Sequence, residues 1–263
     1  MPDLSELGPV DYIPARLQWP RSASCWPPTL GVIHDMEAPE GPLTAENCAH
    51  FFQKPNSTGS AHLCADTNSV VRCVQDDHMA AGAKGFPYRG RTINDWALHI
   101  ELCGYARQSR AEWLDASSVA TLRRAAPQVA RWCMTYDLPA FRLTDTQIRN
   151  GARGLCGHGD VSRALGVSGG HTDPGAFFPW DVFLPMILSW MEDEVWTDAE
   201  RAKLLQGADA SIAMEKRWDQ TAREKLDDLW TQVMDQDHPQ PGKAGTLGGR
   251  VVAIAAATVP EDS

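Results

Sequence analysis

The sequence predicts an α/β fold with a central mixed β-sheet flanked by helices, followed by a helical C-terminal segment. Three observations carry this. The short apolar runs TLGVIH and ALHIELCG have the length of buried strands. Between and after them, apolar residues recur at helical spacing, most regularly after Asp115. Beyond Trp190 the composition shifts to a charged, helix-favouring stretch.

Taken in order, residues 1–28 are polar, proline-rich and irregular in pattern and are expected to form an ordered arm lying on the domain. Thr29–Ile33 reads as a buried strand ending at His34. TAENCAHFFQK, opening at Thr44, is a helix that stops before Pro55. Ala61–Ala65 and Val70–Val74 flank the turn DTNS as a hairpin. Residues 97–104 form another buried strand, closed by Gly104. Asp115 caps a long helix reaching about Tyr136, with Val119, Leu122, Ala126, Val129, Ala130 and Cys133 on its apolar side. Gly154–Cys156 is a short strand leading into a turn at GHGD, and Pro179–Met191 is the last helix of a domain spanning 29–192.

After that domain, Thr197-Asp-Ala-Glu200 has the form of a capping box and opens a helical segment over 197–236. Its stripe of Ala222, Leu226, Leu229 and Val233 offers a surface for self-association. Residues 237–263 read as a flexible hinge and a short apolar tail, RVVAIAAATV, which is too short to span a bilayer.

Acidic residues outnumber basic ones by 34 to 24, a net charge of -10. Nothing therefore draws the whole molecule to nucleic acid or anionic membranes, and a polyanionic polymer would have to be engaged through a local patch. The opening MPDLSELGPV lacks the basic and apolar regions of a secretion signal. The chain is expected to be made in the cytoplasm, with no stable membrane insertion. Seven cysteines without a C-x-x-C pair read as small buried hydrophobes in a reducing compartment. A disulfide between Cys64 and Cys73, across the hairpin turn, is the alternative.

Singly, the polar residues in these elements say little. His34 ends an apolar strand, His158 lies in a glycine-flanked turn, and Asp173 in HTDPG could cap a turn. Alternation along HIEL sets Ile100 and Leu102 on one face and His99 and Glu101 on the other, which suits a solvent-facing glutamate as well as a functional one. No H-E-x-x-H or C-x-x-C zinc motif is present. His50, His78, His99 and His238 carry no functional expectation.

Order and context say more. GVIHDMEAP, SAHLCAD, NDWALHIELCG and CGHGDV…GGHTDPGAFFPWD together resemble the amidase-2 family, which includes the peptidoglycan recognition proteins, over residues 29 to 190. The final segment, a GH turn followed by TDPG and a Trp-Asp pair, is its most specific part and resembles actinobacteriophage endolysins. The resemblance implies a zinc-dependent N-acetylmuramoyl-L-alanine amidase acting on peptidoglycan. It also implies His34, His158 and Asp173 as metal ligands, leaving a fourth tetrahedral position open. Glu101 matches the catalytic glutamate, and His171 the residue that stabilises the tetrahedral oxyanion. His62 is expected to support the site from the core.

Ala80-Ala81-Gly82 departs from the His-Ala-Gly of many relatives, and the stretch between His158 and Asp173 is longer than in several, which alters substrate contacts more than the metal set. Three further roles fit the resemblance: a cytoplasmic muropeptide-recycling amidase, a zinc-free module that only binds peptidoglycan, and an assembly protein retaining the fold. Family members that only bind typically lose a ligand. Here the ligand set is complete.

Overall fold

The computed structural model describes residues 10–83, 87–166 and 170–191 of the 263-residue chain. These belong to the first of two units into which the chain divides, Met1–Val195. The segments expected over 197–236 and 237–263 lie outside the described residues.

Among the described residues the strands are β1 (Asp11–Tyr12), β2 (Gln18–Pro20), β3 (Leu30–Asp35), β4 (Leu63–Ala65), β5 (Val70–Arg72), β6 (His78–Ala80), β7 (Pro87–Tyr88), β8 (Arg91–Thr92), β9 (Ala97–Leu102) and β10 (Gly154–Gly157). The helices are α1 (Thr44–Gln53), α2 (Arg110–Trp113), α3 (Ala116–Tyr136), α4 (Asp145–Arg149), α5 (His158–Leu165) and α6 (Trp180–Met191).

Six strands make one mixed sheet in the order β1-β5-β4-β9-β3-β10. β3 runs parallel to both β9 and β10, and β9 runs parallel to β4. β5 folds back antiparallel on β4 and carries β1 at its outer edge. A strand with partners on both sides is covered on both faces, and its sequence becomes a near-continuous apolar run. Leu30, Val32 and Ile33 of β3 and Ala97, Leu98, Ile100 and Leu102 of β9 have no exposure at all. Against that background the polar members of the two strands stand out: His34, Asp35 and His99 are buried and Glu101 is half-buried.

The long helix follows from its cap. The Asp115 side chain accepts from the backbone N–H of Ser118, satisfying one of the open donors of the first turn. Buried residues from Leu122 to Cys133 then line the side packed on β4, β9 and α6. The hairpin also forms where alternating hydrophobicity indicates, with Leu63 opposite Arg72 and Ala65 opposite Val70. Asp66 closes it by accepting from the backbone of Asn68 and Ser69.

Three expectations change. Residues 10–28 are not merely an irregular arm: β1 joins the sheet edge, and β2 pairs antiparallel with β6. Sheet edges take such short, proline-bearing strands because one side of the strand needs no ladder. GHGD is not a turn either, since His158 is the first residue of α5. Asp160 Oδ2 accepts from the backbone N–H of Gly157 at 2.8 Å, the reach that starts a helix, and Val161 and Ala164 anchor its buried side. The seven cysteines are free thiols, but Cys48 is only half-buried, and Cys64 and Cys73 are neighbours without a bond, their Sγ atoms 3.7 Å apart. Among the described residues no helix is long and apolar enough to cross a membrane.

Candidate metal centre

Strand register decides which side chains meet. The pairing of β3 with β9 sets His34 beside Glu101 and Val32 beside His99. Side chains alternate along a strand, so these four share one face of the sheet. On the other flank β10 pairs Gly157 with Ile33, which brings His158 level with His34. All three lie at the C-terminal ends of parallel strands, where an α/β sheet opens its crevice.

Asp173 closes the group from the segment before α6. Its Oδ2 lies 2.9 Å from His34 Nδ1, and its Oδ1 lies 3.3 Å from His158 Nδ1. One donor atom from each of His34, His158 and Asp173 falls within 4.8 Å of the others, and all three residues are buried. His171 borders the group from solvent. Its ring stacks on His158 at 4.2 Å, its Nδ1 is 3.4 Å from Asp173 Oδ1, and its side chain is 68% exposed.

Two local features hold Asp173 in place. Its carbonyl accepts from the backbone N–H of Gly159 at 2.7 Å, tying the segment to α5. A side chain at residue 159 would start 2.9 Å from the carbonyl oxygen of Thr172, so this approach needs glycine. Downstream, Phe178 is buried edge-on against Trp113, Trp180 and Phe183, with ring centroids 5.0, 5.1 and 5.7 Å away. That contact anchors the segment at its far end and gives GAFFPWD its packing role. Phe178→Ala should lower unfolding stability by ~3–5 kcal/mol through lost packing and the cavity left behind, as read from urea denaturation. A loss below ~1 kcal/mol would show that the anchor lies elsewhere.

The electrostatics are those of a site short of positive charge. Burial works to raise the pKa of Asp173, but its hydrogen bonds with His158 and His34 outweigh this and hold the carboxyl well below the usual carboxylate range. Burial pushes Asp35 up to about 7 despite a hydrogen bond from the Glu37 backbone, and the charge of Asp173 adds to the shift. Glu101 is raised well above its ordinary value, again chiefly by burial, with Asp173 and Asp35 among the contributors. Burial also lowers His158, against its bond with Asp173. Asp35 Oδ2 and Glu101 Oε2 are buried without a hydrogen-bond partner. A divalent cation beside these carboxyls would reverse the repulsion and restore their ionised forms. Two imidazoles and a carboxylate are a donor set that zinc takes in open, catalytic sites, so the residues fit the ion.

The family model for N-acetylmuramoyl-L-alanine amidase, amidase-2, matches residues 26–176, more than half of the chain. The chain belongs to the amidase-2 family. The segment that identifies it as amidase-2 contains His34, Glu101, His158, His171 and Asp173, and membership supports N-acetylmuramoyl-L-alanine amidase activity. Solved structures agree on the fold. The Staphylococcus aureus hydrolase AmiA, solved in complex with its ligand, is 16% identical with a TM-score of 0.54, over 72% of this chain and 88% of its own. AmpD is 20% identical with a TM-score of 0.50, over 70% of this chain and 99% of its own. No curated protein matches the sequence.

Within this amidase-2 domain the structure brings His34, His158 and Asp173 together, sets Glu101 on the adjacent strand of the same face, and puts His171 at the solvent side. It also brings in residues to which the sequence assigned no role. His99 is fully buried, its Nδ1 3.0 Å from His34 Nε2. Asp35 follows His34 directly, and a carboxylate next to a candidate ligand at a strand end was the one signal available for it. For His99 the sequence held only a polar residue two before Glu101 in an otherwise apolar strand.

Proposed function

We propose that this chain is a zinc-dependent N-acetylmuramoyl-L-alanine amidase that cleaves the amide between the muramic acid lactyl group and L-alanine of peptidoglycan, acting as a phage endolysin on the host wall. The observation that carries the reading is the convergence of buried His34, His158 and Asp173 beside half-buried Glu101, whose Oε2 is buried without a hydrogen-bond partner. When bound, zinc supplies a Lewis acid for the scissile carbonyl and lowers the pKa of water to about 7.

The chain's own residues supply the rest. His34, His158 and Asp173, the last held ionised, would hold the ion. Glu101 takes the proton of the attacking water as its oxygen bonds to the lactyl carbonyl carbon. It returns that proton to the L-alanine nitrogen as the C–N bond breaks. His171, exposed at the rim, donates an N–H to the oxyanion that forms between these steps. The endolysin role is supported by the likeness of CGHGDVSRALG…GGHTDPG…FPWD to actinobacteriophage lysins.

Digestion of purified sacculi tests the reading. Mass spectrometry should find stem peptides with a new L-alanine amino terminus and uncut glycan, chelation should stop their release, and zinc should restore it. Uncut sacculi with efficient cleavage of soluble muropeptides would favour a recycling amidase. Binding without cleavage of either would point to a recognition module.

A further inference from the structure

Behind His34, on the side away from Asp173, lies a second row of histidines that the reaction does not use. His34 presents Nδ1 to Asp173 and Nε2 to His99 Nδ1, at 2.9 and 3.0 Å. His99 is fully buried at the centre of β9. Its backbone N–H donates to His62 Nδ1 at 3.0 Å, and the two rings stack at 5.8 Å with their planes 19° apart.

The protons in this row can be placed by bookkeeping. A backbone N–H only donates, so His62 Nδ1 is an acceptor and the ring proton of His62 sits on Nε2. That Nε2–H donates to the carbonyl of His78 at 3.1 Å. The tautomer of His62 is thereby fixed. The Arg21 guanidinium, 3.4 Å from His62 Nε2, donates to the carbonyl oxygens of Ala97 and His78 at 2.9 and 3.0 Å and pins the start of β9 behind the pair. Gly82 completes the slot, because a Cβ there would lie 2.4 Å from the His99 ring.

From this geometry we infer that His99 is a positioning residue for the metal centre: when an ion takes the place of the His34–Asp173 hydrogen bond, His99 accepts the Nε2–H of His34 and so holds His34 Nδ1, lone pair free, toward His158 and Asp173. The inference rests on the proposed metal site. A histidine that binds a metal through Nδ1 must carry its proton on Nε2, and that N–H needs an acceptor; accepting it leaves the proton of His99 on its own Nε2, which is buried without a partner and turned away from His34. His99 Nδ1 is the acceptor the fold supplies. The ring reaches His34 across the sheet, from the strand position opposite Val32, because His62 and Gly82 shape a slot around it. His99 touches no substrate; it acts through His34 alone.

The test is zinc affinity, measured by chelator competition on the full chain with zinc alone. His99→Phe keeps a flat ring in the slot but removes the acceptor, and affinity should fall ~10- to 100-fold. His99→Asn places an amide oxygen near the position of Nδ1 and should recover most of that loss, although it repacks the slot less well than Phe. A purely packing role predicts the reverse order. If His99→Phe does not fold, as judged by circular dichroism, His99→Ala replaces it and removes the same acceptor. Wild-type chain that binds no zinc overturns the metal centre and this inference together. Wild-type zinc binding matched by the Phe or Ala variant overturns the inference alone and leaves the proposed function standing.

Discussion

Glu101→Gln is expected to slow release of stem peptides from sacculi by ~100- to 10,000-fold while zinc content stays near one per chain. Glutamine keeps the volume of the side chain, which sits between His34 on β3 and Cys64 on β4. It cannot accept the proton of the attacking water. Nor does it lose much by burial, because the carboxyl it replaces already has an unpartnered oxygen in this place. Stability should therefore hold, and the defect should appear in kcat rather than KM. Cleavage at the normal rate would remove Glu101 from the acid–base role and leave another group to be found.

His34→Ala should behave differently, losing zinc and turnover together. Two ligands from α5 and the segment before α6 hold an ion poorly, and the variant also strips Asp173 of its 2.9 Å partner. Metal analysis after dialysis should find little bound zinc. His171→Ala provides the contrast: its side chain is exposed and stands beside the ligand set, so zinc should remain while the rate falls ~100- to 1,000-fold, as for one oxyanion donor. Zinc lost from His171→Ala would make that residue a ligand and displace His158 or Asp173 from the set. Zinc retained by His34→Ala would place the metal elsewhere in the molecule.

The elements that the sequence made legible are those whose signal is local. β3 and β9 announce themselves as apolar runs because strands in the middle of a sheet are covered on both faces, and α3 through the Asp115 cap and its apolar stripe. Most of what could not be read depends on a partner far along the chain, and α5 is the local exception. α5 begins in a stretch whose two glycines imitate a turn, and only the reach of Asp160 back to Gly157 makes it helical. β1 and β2 exist because β5 and β6 offer them edges. The same holds in the site. The ligand set was indicated by likeness to a family and not by spacing, since His34 and Asp173 stand 139 positions apart. His99 carried no signal because its meaning comes from a ring on another strand, 65 residues away.

That separation of 139 positions has a consequence for how the molecule comes into being. Contacts between distant residues require closing a long loop of chain, and they form after the local ones. During synthesis β3 leaves the ribosome early, with His34 on it, whereas Asp173 and the Phe178 anchor emerge only when the domain is almost complete. No amino-terminal fragment that stops short of residue 173 contains a site, however well its strands pair. On the proposed ligand set, any fragment that lacks the Asp173 segment should therefore be without hydrolytic capacity.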